Sequence, residues 1–394
     1  MTTTPDRPRN EAAVDPLRIL VVEDYVPDAT VGSGYGRMID TIADLRAMGN
    51  VHVALHPAFG QSEGAPRIGP EGVEVLAEPL AGHLLQLRSR GLRYDVVIVS
   101  RPHNYERVAP TLRDLLPGVP VIYDAEALYF RRLERQAALG EGEVKESLLV
   151  AAQETRELEE RIAREVDAVV CIASEEAVLL QRQTDRPVVI NGPLLTRVSW
   201  TSAGFEQRDG VGLIAGWSAG PGSPNIDGLR WFARHVWPRV LARVPSARLL
   251  VTGEDPPEAV RRFETRSIEF LGFVPDLSGL YDQLRVTVVP IRYGSGVKLK
   301  AVESLQFGVP TVATTVGAEG IPVDVPGLIP IADDPGEFAE HVARLHENQA
   351  AWETQRQRLT DQSSRWTSNP QQSIWPGLVR RLVTEHRSRR TARP

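Results

Sequence analysis

At 394 residues the chain is too long for one ordinary hydrophobic core, and its length predicts two or three domains. With 42% hydrophobic and 24% charged residues it is not a disordered chain, and a net charge of −6 argues against a nucleic-acid binder that relies on a general positive field. A single cysteine, Cys171, excludes an intrachain disulfide and a cysteine-based zinc site; inside an apolar run it reads as a buried, inert thiol.

Residues 1–15 are polar and proline-bearing and read as a disordered tail without the apolar segment of a secretory signal. No apolar run approaches the ~18 residues of a membrane helix. The expectation is a cytoplasmic protein without stable membrane insertion. A strand is predicted at 17–23, a helix at 37–47, and further strands at 51–56, 95–100, 120–124, 167–172 and 187–190. Nearly continuous apolar strands fit a parallel sheet covered on both faces by helices. A long charged helix is expected at 143–165, packed on that sheet by its apolar side. Near Asn191 the pattern breaks, and the domain junction is placed there, giving one unit at 16–195 and a second at 196–370.

The alternation then restarts. Strands are expected at 212–217, 247–253, 268–271, 286–290, 311–314 and 328–331, with a helix at 228–244 kinked by Pro238. A last helix at 373–386 lies in a terminal segment, 371–394, that ends in a short basic tail; either domain offers it a packing surface. Two successive βα arrays predict two doubly wound, Rossmann-like α/β domains facing each other across a ligand cleft.

The strongest local signal is the loop after the strand that ends at Pro290. Gly294, Ser295 and Gly296 turn the chain into a helix starting near Val297, and Leu299 is a further candidate contact. Free amides and the positive dipole end make a helix start an anion site, and glycines let a phosphate approach the backbone. Only three of the 45 basic residues are lysines, and two of these, Lys298 and Lys300, lie in or just after this loop. Lys298 adds a point charge and Arg292 a fork for phosphate, while Glu303 further along the helix suits a ribose diol.

In the first half, Gly32, Ser33 and Gly34 follow the first strand, flanked by Asp28 and Arg37, which are either acceptor contacts or ordinary polar surface. His103 lies in the loop after the strand at 95–100. Asp124 and Glu126 end the next strand; they either bind an acceptor or act as a base, or they cap the following helix.

Together the residues from Pro290 to Pro310 resemble the donor-binding signature of GT-B glycosyltransferases, especially the large retaining family 4. In that family a Glu-x7-Glu motif precedes an Ala/Gly-Val-Pro turn. Glu303 matches the second glutamate, Ser295 stands in place of the first, and the segment resembles the Gly-Ser-Gly-x-Arg/Lys-x-Lys version found in many relatives.

The resemblance extends to other segments. Gly216 and Trp217 are similar to the loop opening the donor domain, with Trp217 where many relatives have a phosphate-binding arginine. Phe273 and Val274 look like the loop against the nucleotide base, Thr315 to Gly320 is characteristic, and His103 matches the histidine at the reacting sugar. Asn225 to Asp227 read either as part of this site or as a helix cap.

What the resemblance implies is a GT-B fold and metal-independent transfer of a sugar from a nucleotide sugar, with retention, to a glycan, lipid-linked or natural-product acceptor. No cofactor beyond the co-substrate is expected, and the oligomeric state is open. Ser295 and Trp217 leave open a non-catalytic partner that only binds nucleotide sugar. A pseudo-glycosyltransferase or a sugar-nucleotide epimerase is a further alternative.

Overall fold

The structure, a computed structural model, describes residues 16–24, 35–55, 73–76, 79–192, 200, 203–217, 222–321, 327–368 and 373–391. The first half contains β1 (Leu17–Glu23), α1 (Tyr35–Arg46), β2 (Gly49–Leu55), β3 (Val73–Val75), α2 (Leu80–Ser89), β4 (Val96–Ser100) and α3 (Pro102–Leu115). It continues through β5 (Val121–Asp124), α4 (Tyr129–Leu139), α5 (Gly142–Glu165), β6 (Ala168–Cys171), α6 (Ser174–Gln181) and β7 (Val188–Ile190). The seven strands form one parallel sheet of order β3-β2-β1-β4-β5-β6-β7.

Alternation along these strands loads both faces. Leu20, Val22, Val97, Val99 and Tyr123 point into one core with α2, α3 and α5. Ile19, Val21, Val96, Ile98 and Ile122 point into the other, which includes Met38, Ile42 and Leu45 of α1. Helices on both faces are what buried parallel strands require.

The second half contains β8 (Gly210–Leu213), α7 (Pro224–Trp231), α8 (Trp237–Arg243), β9 (Arg248–Thr252), α9 (Glu258–Arg261), β10 (Ile268–Gly272), α10 (Ser278–Tyr281) and β11 (Leu284–Val289). Then come α11 (Leu299–Gln306), β12 (Thr311–Ala313), α12 (Pro335–Glu347), α13 (Gln349–Ser368) and α14 (Trp375–Thr391). Its sheet is parallel, of order β10-β9-β8-β11-β12. Two doubly wound sheets are therefore present.

Several expectations shift. The strand placed at 212–217 sits at Gly210–Leu213. The strand at 328–331 contracts to a single bridge between Ala313 and Ile331. The kink expected at Pro238 lies one turn earlier, where Phe232–Val236 form a π segment before α8 restarts with Pro238 in its first turn. Proline lacks an amide to donate back, so the unwinding falls on the preceding turn. The last helix, α14, crosses to the first sheet: Trp375, Leu378, Val379, Leu382 and Val383 join the core beneath α1, and Trp375 Nε1 donates to Thr41 Oγ1 at 3.1 Å. No helix among the described residues is long and apolar enough to cross a membrane.

Candidate active site

In the first sheet the strand order reverses between β1 and β4, the crevice where doubly wound sheets bind ligands. The strand ends there carry acids. Glu23 ends β1 and Asp24 follows it; Asp124 ends β5 and Glu126 lies two residues on. Glu23, Asp24 and Asp124 are buried, and Glu126 is half-buried. Charges this deep need partners.

Arg101, just past β4, donates to Glu23, to Asp24 Oδ2 at 2.6 Å and to Glu126 Oε2 at 2.8 Å. Arg37 of α1 donates to Asp124 Oδ2 at 2.7 Å. His103 Nε2 lies 2.7 Å from Asp24 Oδ1, which also accepts from Asn104 Nδ2 at 2.9 Å. Arg101 (φ 70°) and Glu126 (φ 51°) both adopt left-handed backbone, at a cost of about 1–3 kcal/mol each, and their mutual bond holds the two strand ends together.

Burial pushes the Glu23 carboxyl up to about 7 against the pull of Arg101. Burial likewise raises Asp124, with Arg37 opposing. Asp24 goes the other way. Burial raises it, but the hydrogen bond from His103 and the charge of Arg101 outweigh burial and keep it ionised.

The second sheet reverses between β8 and β11. Past β11 the chain runs through Gly294 (φ 147°) and Gly296 (φ 67°) into α11. A Cβ at Gly296 would lie 3.0 Å from Ala127 Cβ and 3.1 Å from the Glu126 carbonyl, so both dihedral and the approach of the other half demand glycine. Lys298, at the N-cap of α11, is 9% exposed; its Nζ donates to the Gly296 carbonyl at 2.6 Å and lies 3.7 Å from Glu319 Oε2. Burial pushes this ammonium down to about 8 more strongly than Glu319 lifts it. Glu319 itself stays ionised below its usual range: bonds and charge from Arg135 and Lys298 outweigh its burial.

Lys300 is also pushed down to about 8 by burial. It donates to Asn225 Oδ1, and Asn225 Nδ2 donates to the Gly216 carbonyl at 2.7 Å, tying the loop after β8 to α11.

The halves meet across this loop. Arg135 of α4 forks Glu319 at 2.6 and 2.8 Å, and its Nη1 donates to the Gly294 carbonyl at 2.7 Å. Arg131 Nη2 lies 2.9 Å from Glu319 Oε1. Glu176, in the first turn of α6, accepts from the Gly296 amide at 2.8 Å and the Leu128 amide at 3.3 Å.

The structure brings Gly294, Ser295, Gly296, Val297 and Lys298 into one loop, with Leu299 opening α11, against the strand ends of the first sheet. Glu303, one turn on, is half-buried and accepts from Tyr281 Oη at 3.2 Å. Phe273, 51% exposed, and half-buried Val274 follow β10. Trp217 is buried against Phe270, their ring centroids 6.5 Å apart, just past Gly216. Gly32, Ser33, Gly34 and Asp28 lie outside the described residues.

Four expectations are corrected. Arg292 does not point a free fork at a phosphate: its Nε and Nη2 both bond Asp227, the former at 2.9 Å. His103 is in the first turn of α3 rather than a loop, because Pro102 suits a helix start. Asp124 and Glu126 do not cap α4; Glu159 of α5 does, accepting from the Tyr129 and Phe130 amides at 3.0 and 3.1 Å. The cap of α7 is Ser223, whose Oγ accepts from the Asn225 amide at 3.2 Å, so Asn225 to Asp227 are inside the helix.

Not among the expected site residues are Glu23, Asp24, Arg101, Arg131, Arg135, Glu176 and Glu319. A charged residue closing a continuous apolar strand was the available signal for Glu23, Asp24 and Arg101. Glu319 lay in a segment already singled out. Nothing local marks Arg131 or Arg135, which sit on a helix flank and act across the cleft.

Comparison with known proteins places residues 216–348 as a match to the glycosyl transferases group 1 family. An uncharacterised 44.6 kDa protein of the cps region of Klebsiella pneumoniae is 27% identical over 133 residues, 32% of this chain and 34% of that protein; the match thus spans about a third of the relative's length. Sucrose-phosphate synthase from Thermosynechococcus elongatus superposes with a TM-score of 0.63 at 16% identity, covering 95% of this chain and 100% of that one. HepE from Anabaena, solved with UDP and glucose, gives 0.60 at 14% identity over 89% and 95% of the two chains. The α,α-trehalose 6-phosphate synthase of Burkholderia multivorans gives 0.57 at 13% identity over 95% and 98%.

Proposed function

We propose that this chain, which has the GT-B fold and a glycosyl transferases group 1 region in its second half, is a glycosyltransferase using a nucleotide-sugar donor. The observation that carries the reading is the loop from Gly294 to Lys298. It sits at the switch point of the second sheet, begins a helix, holds a buried lysine, and faces the strand ends of the first sheet. The donor's diphosphate lies on that loop, its ribose at Glu303 and its base near Phe273 and Val274. The acceptor enters from β1, β4 and β5, past His103.

The chemistry breaks the bond between the anomeric carbon and the diphosphate and forms one to an acceptor hydroxyl. Negative charge grows on the departing phosphate, and the loop amides, Lys298 and Lys300 stabilise it where it develops, without a resident cofactor. The acceptor proton leaves with the departing phosphate, on the same face, so configuration is retained. Supporting this path, Asp24 is ion-paired to Arg101 and held below its usual range by His103 and Arg101, which makes it a weak opposite-face base. The UDP-bound HepE and the capsule-region relative favour a uridine donor and a glycan-type acceptor. The proposed setting is the cytoplasm, where nucleotide sugars are made.

Incubation of the purified chain with UDP-, GDP-, ADP- and dTDP-sugars, followed by mass spectrometry, tests this. Slow release of free sugar and nucleoside diphosphate from one class is expected, and its loss in Lys298→Ala. Turnover of none of them, by wild type with or without candidate acceptors, contradicts the enzyme reading.

A further inference from the structure

The amide that the proposed function assigns to a phosphate already has a partner. Glu176 Oε1 accepts from the Gly296 amide at 2.8 Å, and the carboxyl is completely buried. We propose that Glu176 is a built-in anion that occupies the phosphate loop of the empty enzyme and must leave it when the donor's diphosphate binds. This rests on the donor-site reading above and adds its regulation: the donor is held in competition with a carboxylate of the acceptor half.

Three observations support it. First, the contact spans the cleft: Glu176 follows β6 of the first sheet, whereas Gly296 precedes α11 of the second. Second, the loop is shut as well as occupied. Gly296 packs on Glu126 and Ala127 so closely that one added carbon would touch both, and Gly320 is as close to Ala173 Cβ, at 3.1 Å from a Cβ placed there. A diphosphate needs the halves to part before it reaches the loop.

Third, the carboxylate is poorly served where it sits. It accepts from the Gly296 and Leu128 amides through one oxygen, and Oε2 is buried without a partner among the described residues. The cations beside it, Arg131, Arg135 and Lys298, are engaged instead with Glu319. A buried acceptor left unpaired costs free energy, so the contact satisfies an amide that closure would orphan without adding much net stability. A phosphate brings more oxygens and more charge to the same amide and to Lys298. Exchange of carboxylate for phosphate is therefore downhill, and it breaks a tie between the halves as it occurs.

The test is calorimetric titration of UDP, GDP, ADP and dTDP into wild type, Glu176→Gln, Glu176→Ala and Lys298→Ala, with melting curves for each. If Glu176 competes with the ligand, the nucleotide that binds wild type binds Glu176→Gln about fivefold more tightly and Glu176→Ala more tightly still, an advantage of the order of one ordinary hydrogen bond. Weaker or unchanged binding in both well-folded Glu176 variants, with Lys298→Ala impaired, overturns the competition and leaves the donor site standing. Binding by none of the four proteins, or full-strength binding by Lys298→Ala, overturns the donor site and the competition with it.

Discussion

Lys298 and Lys300 concentrate the electrostatics of the loop proposed to hold the donor in two residues. Each is pushed down to about 8 by burial, so near neutral pH each carries a charge that the fold alone holds weakly. An anion that lands beside a lysine raises its pKa, and by linkage its own affinity falls as pH rises above that of the free protein. Nucleotide affinity is therefore expected to drop between pH 8 and 9.5, by at most about tenfold per pH unit for each lysine that must take up a proton. Lys298→Arg keeps its charge across that range and removes part of the drop. Titration at half-unit steps checks this, and a flat wild-type profile contradicts it.

The same residues show what was legible beforehand. Lysine scarcity and the glycine spacing pointed to the loop, and it is there. Arg292 looked equally suitable, yet Asp227, 65 positions away, takes its fork. A pairing at that distance in sequence leaves no local trace.

At the level of elements, Glu159 is the residue on which the acceptor half turns. It lies on α5, is fully buried, and caps the start of α4 through two backbone amides. That start carries Arg131 and Arg135 toward the cleft. Glu159→Ala leaves two buried amides without acceptors and is expected to destabilise by about 2–4 kcal/mol, measurable by denaturant unfolding. Glu159→Gln keeps an acceptor and loses the charge.

Burial holds the Glu159 carboxyl at about 8 against an ordinary 4.5. The folded state therefore binds more protons than the unfolded one across that interval, and stability falls as pH rises through it. Wild type should lose stability relative to Glu159→Gln between pH 5 and 8, and parallel curves would contradict the assignment. The buried strands are legible here because they are continuous apolar runs, whereas the short, half-exposed edge strand β3 gives no such run. The caps were misread, because the group that caps α4 comes from the next helix rather than from the residues preceding it.

Across the whole molecule, ion pairs and close backbone contact hold the two sheets face to face. Arg135 bonds both Glu319 and the Gly294 carbonyl. Arg135→Ala should loosen the empty chain, giving a larger radius of gyration in X-ray scattering that a bound nucleotide reverses. No change in either state would mean that packing alone sets the closure. The two-sheet plan could be read from alternation of strands and helices, and the cleft from the rule that ligands lie at carboxyl strand ends. Which side chains cross the cleft could not, since that depends on how two separately folded surfaces meet. The return of α14 to the first sheet was equally hidden: its apolar side fits either core by pattern, and Trp375 bonding Thr41 decides it.

All three scales converge on one claim, that the loop from Gly294 to Lys298 receives the diphosphate of a nucleotide sugar. Calorimetric titration of UDP-, GDP-, ADP- and dTDP-sugars into wild type and Lys298→Ala addresses it directly. One nucleotide class is expected to bind wild type, weakened at least about tenfold in the variant, as expected for loss of a charge-assisted hydrogen bond. Equal affinity in the two proteins, or no binding to wild type at all, would contradict it.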